Sequence, residues 1–119
     1  MRKLLVIDDD ENVRHYFESL LGRLGYEVVL ASNGKDGLAA AANPEIELVI
    51  SDLIMPGAPM GIDLIREIRK VRPQCPIVVI SGEGDSQTVE DCNTLGVTEF
   101  LTKPFEIGFI RDILKRLVI

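Results

Sequence analysis

The sequence predicts an α/β fold in which a parallel β-sheet is covered by helices on both faces. Two observations favour this class. Five short apolar runs recur along the 119 residues, and the segments between them have the apolar spacing of amphipathic helices. Continuous apolar strands that alternate with such helices are typical of parallel sheets with right-handed crossovers. A chain of this length fits one domain with one core.

The predicted strands are short apolar runs. They cover residues 4–7, 28–30, 48–50 and 77–80 and, more weakly, residues 99–102. A helix that spans a bilayer needs about 20 apolar residues, so none of these runs can cross a membrane. We therefore interpret them as buried strands of one sheet.

The first two predicted helices have clear start and stop signals. The apolar face of the first helix consists of Val13, Phe17, Leu20, Leu21 and Leu24. Asp10 can cap its start, and Gly25 can end it. Asn33 can cap the second helix, which runs through a group of alanines to Ala42 and ends before Pro44.

The other three predicted helices are recognised by their apolar stripes. The third carries Leu64, Ile65, Ile68 and Val71 and ends before Pro73. The fourth covers about residues 87–95 and is the most polar, with a thin stripe of Val89, Cys92 and Leu95. The fifth begins at about Glu106 and carries Phe109, Ile110, Ile113, Leu114 and Leu117. Each stripe has the helical spacing that faces a sheet.

Composition excludes several classes of function. Thirteen Lys and Arg against nineteen Asp and Glu give a formal charge of −6, which disfavours direct binding of nucleic acid. The apolar run in MRKLLVIDDD is too short for a signal peptide, so we expect a cytoplasmic protein with no membrane association. Cys75 and Cys92 have no metal-binding or redox spacing, and we expect buried or idle thiols rather than a disulfide.

Polar residues close four of the five apolar runs. They are Asp8, Asp9 and Asp10 after the first, Asp52 after the third, Ser81 and Gly82 after the fourth, and Thr102, Lys103 and Pro104 at the fifth. The carboxyl ends of parallel strands meet at one edge of a sheet, where ligands bind. Clustered carboxylates repel one another and call for a cation, and hard oxygen ligands suit Mg²⁺. Lys103 and the Ser81 hydroxyl can each bind a phosphoryl oxygen.

Each of these residues also has an ordinary structural interpretation. Negative charge is favoured at a helix start, so the acids after the first strand could serve only as caps. We assign that role to Asp10 and metal binding to Asp8 and Asp9. Phe100 fits a core residue as well as a functional one. His15 falls on the polar side of the first helix, and we expect it to be exposed and without a function.

Four segments, VIDDD, SDLIMP, ISGEG and LTKPF, occur in this order at the ends of predicted strands. Together they resemble the receiver domain of bacterial two-component response regulators, the CheY-like proteins, over the whole chain. The resemblance implies a flavodoxin-like, doubly wound sheet of five parallel strands in the order 2-1-3-4-5, with five helices. It also implies that residues 1–119 form one receiver domain.

The resemblance implies a role for each matching residue. The implied roles are Asp52 as phosphoacceptor, with Asp8, Asp9, Asp52 and the backbone carbonyl of Ile54 as Mg²⁺ ligands, Lys103 as the phosphate-pairing lysine, Ser81 as the switch hydroxyl and Phe100 as the aromatic whose rotamer follows the switch. These residues would catalyse only the domain's own phosphorylation and slow dephosphorylation.

The resemblance also implies partners. A sensor histidine kinase or a histidine phosphotransfer protein would donate the phosphoryl group. The face made by the fourth helix, fifth strand and fifth helix would then control an output partner or a fused effector domain. A phosphorylation-dependent dimer stays open, as does the choice between a stand-alone receiver and a domain of a longer protein.

One loop departs from the family pattern, and a second class of protein is an alternative to the receiver domain. The loop after Met55 and Pro56 is one residue longer than usual before Gly61 and lacks an acid. The alternative is an aspartyl-phosphate phosphatase of the haloacid dehalogenase type. That class needs a second acid two residues after the nucleophile, where this chain has Ile54, and a cap domain for which 119 residues leave no room.

Overall fold

The computed structural model describes residues 2–53, 55, 59, 61–82, 86–103 and 107–117, with the backbone alone described for residue 107. Within these residues, five strands alternate with five helices. The elements in chain order are β1 (Lys3–Ile7), α1 (Glu11–Arg23), β2 (Glu27–Ala31), α2 (Gly34–Ala41), β3 (Ile46–Asp52), α3 (Gly61–Val71), β4 (Ile77–Ser81), α4 (Ser86–Thr94), β5 (Glu99–Thr102) and α5 (Ile107–Leu117). None of the helices in this part of the chain has the length and apolar character needed to cross a bilayer.

The five strands form one parallel sheet in the order β2-β1-β3-β4-β5, which confirms the predicted fold class. Ile7 at the end of β1 pairs with Ser51 of β3, and Asp52 pairs with Ile80 of β4. Ser81 pairs with Thr102 of β5. The carboxyl ends of β1, β3, β4 and β5 therefore lie side by side at one edge of the sheet.

The predicted caps define the starts of α1 and α2. The Asp10 side chain accepts a hydrogen bond from the Asn12 amide at 2.9 Å, and the Asn33 side chain accepts one from the Asp36 amide at 2.8 Å. These contacts satisfy backbone donors that have no partner inside a helix. After α1 the chain turns at Gly25, whose φ of 92° is a left-handed conformation that favours glycine.

The sheet separates two buried layers, where the length of the chain led us to expect one core. The α2–α4 layer lies on one face and is built around Leu64, Ile65 and Ile68 of α3. The α1/α5 layer lies on the other face, with Phe17 of α1 and Ile113 of α5. Successive residues of a strand point to opposite faces, so each buried strand contributes to both layers.

Three residues assigned to apolar helix faces are exposed. Leu24, Val71 and Phe109 have 39%, 48% and 56% of their surface accessible. Leu24 follows the last helical residue, Val71 is the last residue of α3, and Phe109 lies in the first turn of α5. At helix ends no further turn covers the apolar face, so helical spacing overestimates burial there.

The lengthened loop between β3 and α3 packs against the start of α2. A Cβ atom at Gly34 would overlap the carbonyl oxygen of Pro59, so only glycine fits at this position. Gly61, with a φ of 58°, then begins α3. Residues 57, 58 and 60 of this loop lie outside the described residues.

Candidate functional site

Asp52 is the last residue of β3, a strand paired on both sides by β1 and β4. The residue is 7% exposed. Its Oδ1 accepts a hydrogen bond of 2.7 Å from the Leu53 amide, and its Oδ2 lies 3.3 Å from Lys103 Nζ. Because burying a carboxylate is costly without such partners, these contacts explain how a charge can end a central strand.

Asp8 and Asp9 follow β1 directly, next to Asp52. Asp8 is 3% exposed, whereas Asp9 is exposed. Oxygen atoms of the carboxylates of Asp8, Asp9 and Asp52 all lie within 4.8 Å of one another. Asp10 is the N-cap of α1, as predicted, and its amide donates to Asp8 Oδ1 at 2.9 Å.

Lys103 follows β5 and places one ammonium group between two of these acids. Its Nζ lies 3.3 Å from Asp8 Oδ2 and 3.3 Å from Asp52 Oδ2. The backbone amide of Lys103 donates to the Ser81 carbonyl oxygen at 2.8 Å, which ties the end of β5 to the end of β4. This hydrogen bond therefore fixes the position of the Lys103 backbone, from which the side chain extends.

The structure brings Ser81 to the same edge and places Phe100 in a core layer. Ser81 is the last residue of β4 and is 1% exposed. Phe100, in β5, is half-buried and packs against the α2–α4 layer. Two residues from the sequence predictions lie outside the described residues. They are Ile54, whose backbone carbonyl was expected to bind metal, and Pro104.

The electrostatics of the cluster are unbalanced. Burial raises the pKa of Asp8, and the charge of Asp52 adds to that shift, although the Asp10 amide and Lys103 oppose it. Burial disfavours the ammonium of Lys103, but the charges of Asp52 and Asp8 outweigh this effect and raise the pKa of Lys103. The ammonium of Lys103 contacts two of the three clustered carboxylates. A divalent cation with oxygen ligands, such as Mg²⁺, fits this donor set and this excess of negative charge.

Arg14 makes a contact beside these acids that was not predicted from the sequence. This residue of α1 is half-buried, and its Nη1 donates a 2.8 Å hydrogen bond to the carbonyl oxygen of Asp8. One signal could have found it. A positive charge near a helix N-terminus is disfavoured by the helix dipole, so an arginine four residues after the N-cap suggests a specific partner.

The other three side chains considered in the sequence, His15, Cys75 and Cys92, lie outside the acidic cluster. His15 is exposed, as expected, and its Nε2 lies 3.4 Å from Glu11 Oε1. Cys75 and Cys92 are buried free thiols, which confirms the absence of a disulfide between them. Burial raises the pKa of both thiols, which favours the protonated form over the reactive thiolate.

Comparisons with known proteins agree with this fold. The family model described as the response regulator receiver domain matches residues 4–115. The response regulator protein PilR of Pseudomonas aeruginosa is 30% identical over 112 residues, which cover 94% of this chain and 25% of PilR. The transcriptional regulatory protein GlrR of Escherichia coli is 36% identical over 103 residues, which cover 87% of this chain and 23% of GlrR. The chain thus spans a quarter or less of these two relatives.

Among solved structures, the chemotaxis protein CheY4 of Vibrio cholerae superposes with a TM-score of 0.88 at 28% identity, covering 99% of both chains. A response regulator protein from Burkholderia pseudomallei, solved with a phosphorylated aspartic acid, a calcium ion and citrate, has a TM-score of 0.83 at 29% identity. That alignment covers 93% of this chain and 65% of the other. The chain belongs to the response regulator receiver domain family, whose members are signalling modules of two-component systems.

Proposed function

We propose that this receiver domain accepts a phosphoryl group on Asp52 with the help of Mg²⁺. One observation carries the proposal. The buried Asp52 carboxylate lies 3.3 Å from Lys103 Nζ and within 4.8 Å of carboxylate oxygens of Asp8 and Asp9. This arrangement holds a nucleophile, an ammonium group and a set of hard oxygen ligands in one place.

The reaction is a displacement at phosphorus. A carboxylate oxygen of Asp52 forms a bond to the phosphorus of a phosphohistidine, and the P–N bond breaks. Its electron pair returns to the imidazole nitrogen, which takes up a proton from solvent. The product is an acyl phosphate on Asp52. Attack by an anion on an anionic phosphoryl group requires positioning and charge neutralisation more than covalent assistance.

Each neighbouring residue has a role in this step. Mg²⁺ would be held by Asp8, Asp9 and Asp52 together with the Ile54 carbonyl. When bound, it would supply charge neutralisation at the phosphoryl oxygens. Lys103 would exchange its contact with Asp52 for one with a phosphoryl oxygen, and the Ser81 hydroxyl would donate to another. The Burkholderia pseudomallei relative, solved with a phosphorylated aspartic acid and a calcium ion, supports this assignment.

The phosphorylated state would be read at the face formed by α4, β5 and α5. Ser81 would move towards the phosphoryl group, and Phe100 would follow by changing its rotamer. A sensor histidine kinase or a phosphotransfer protein would supply the group. Relatives named transcriptional regulators, such as GlrR, support an effector domain or a separate output partner downstream, and a phosphorylation-dependent dimer is compatible with both.

Acetyl phosphate and Mg²⁺ test the proposal. We expect intact-mass measurement to show one added phosphoryl group, with none in Asp52→Asn and none when a chelator replaces Mg²⁺. Asp36→Asn, at an exposed acid of α2, is the matched control and should label fully. Labelling of Asp52→Asn to the same extent as the control would contradict the assignment, and multiple turnovers of a phosphate ester would indicate a phosphatase instead.

A further inference from the structure

Asp8 is held at four points, and one of them comes from α1. Its amide donates to the Ala31 carbonyl oxygen at 3.1 Å, and its carboxylate accepts from the Asp10 amide and from Lys103. The fourth contact is the 2.8 Å hydrogen bond from Arg14 Nη1 to the Asp8 carbonyl oxygen. That carbonyl belongs to the peptide that joins Asp8 to Asp9.

We propose that Arg14 is a positioning residue for the metal site. By holding the Asp8 carbonyl, Arg14 fixes the peptide between the two acids and so keeps the exposed Asp9 carboxylate within reach of Asp52. Hydrogen-bond partners of this kind, one step removed from a metal, orient its ligands and strengthen binding. The inference rests on the proposed function, in which these acids hold Mg²⁺.

Arg14 must strengthen metal binding through geometry and not through charge. A guanidinium is always protonated, so its charge alone would repel a divalent cation. Its position near the N-terminus of α1 is also unfavourable to a cation. The two mechanisms therefore predict opposite results for removal of Arg14: loss of positioning weakens metal binding, whereas loss of repulsion strengthens it.

Titration with MgCl₂ by calorimetry distinguishes them. We expect Arg14→Met to bind Mg²⁺ about tenfold more weakly than the wild type, as is typical when such a partner is removed. Arg14→Lys keeps the charge and one donor and should recover part of the affinity. Arg23→Met removes an exposed charge from the same helix, and Arg72→Met removes an arginine that binds backbone carbonyls at the other edge of the sheet. Both controls should keep wild-type affinity.

Equal or tighter binding by Arg14→Met would overturn the inference. A second measurement needs no metal: in chelator, Arg14→Met should increase hydrogen exchange at the Asp10 amide, which donates to Asp8 Oδ1. Unchanged exchange there would also overturn it. Absence of Mg²⁺ binding by the wild type would instead refute the proposed metal site, and the exchange measurement would then decide the role of Arg14.

Discussion

Asp8 combines burial with the repulsion of a neighbouring acid, and both raise its pKa. The folded protein therefore binds this proton more tightly than the unfolded chain does. In the metal-free protein, the stability contributed by Asp8 is lost as the pH rises above the unfolded pKa and through the raised folded pKa. Under the proposed function, a metal ion bound beside Asp8 would offset this loss of stability.

Asp8→Asn should consequently stabilise the metal-free protein at neutral pH and flatten the dependence of stability on pH above about pH 4, the usual range of an aspartate. The asparagine can still accept from the Asp10 amide. Urea unfolding in chelator at several pH values measures both effects. Addition of Mg²⁺ should stabilise the wild type and not the variant. A variant that is less stable than the wild type in chelator at pH 7 would contradict this account.

Individual residues of the site were predictable where the sheet determines their position. Asp8, Asp52, Ser81 and Lys103 lie at strand ends, and parallel pairing brings those ends together whatever the details of packing. Arg14 was not predictable in the same way. A long side chain on a helix can reach many places, and the contact it makes depends on its rotamer and on the loop beside it.

At the level of elements, Arg69 in α3 and Arg72, the residue that follows α3, join this helix to its neighbours. Arg72 donates to the carbonyl oxygens of Ala41, Asn43 and Ile46, at 3.1, 2.7 and 2.6 Å, where α2 ends and β3 begins. Arg69 donates to the carbonyls of Leu95 and Gly96, each at 2.9 Å, just after α4. The last carbonyls of a helix have no partner inside it and carry partial negative charge. The two guanidinium groups therefore stabilise the C-terminal ends of α2 and α4.

Arg72→Met should destabilise the protein by about 2 kcal/mol, because charge-assisted hydrogen bonds are lost and carbonyls are left without partners. Arg66→Met, in the helix that Arg72 follows, is the matched control. Arg66 pairs with Asp63 on the exposed surface at 2.6 Å, and such pairs contribute roughly 0.5 kcal/mol or less. Urea unfolding gives both values. Equal losses for the two variants would show that the carbonyl contacts add nothing.

Helix α4 is anchored mainly at its C-terminal end. Cys92 is its buried residue in the described chain, and the Arg69 contacts lie just beyond its last turn. Few buried contacts mean low local stability. If α4 responds to phosphorylation, the response should be concentrated in its first two turns.

Hydrogen exchange with and without beryllofluoride, a phosphoryl mimic, measures that response. We expect changed protection from Gly82 through the first two turns of α4, and little change at Leu95 and Gly96, which Arg69 holds. Asp52→Asn should show no difference between the two conditions. Unchanged exchange in the first part of α4, or a change confined to its end, would contradict this mechanism.

The lengths of elements were less predictable than their existence. Strand β3 runs over Ile46–Asp52, whereas apolar residues alone predicted 48–50. Pairing with β1 extends the strand back to Ile46, across a register irregularity at Glu47, and pairing with β1 and β4 extends it forward through Ser51 to Asp52. In contrast, α4 (Ser86–Thr94) lies within one residue of the predicted 87–95, because its weak stripe still has helical spacing.

For the whole molecule, the class of fold followed from the alternation of strands and helices, but the order of strands did not. Any order of five buried strands satisfies the same apolar pattern, so the order 2-1-3-4-5 depended on the family resemblance, and the structure confirms it. The expectation of a single core was wrong for a physical reason. A sheet covered on both faces divides the buried volume, and among the described residues the strands lie between the α2–α4 and α1/α5 layers.

This division should make the effects of mutations in the two layers independent. Ile68 in α3 and Ile113 in α5 are buried on opposite faces of the sheet. Each substitution by valine should cost roughly 0.5–1.5 kcal/mol. The double variant should lose the sum of the two to within about 0.5 kcal/mol, whereas the Ile65 and Ile68 pair, within one layer, should deviate more. Strong coupling across the sheet would mean that the backbone transmits repacking. Without such coupling, substitutions can accumulate on the α1/α5 face while the face beneath α3 and α4 retains its packing.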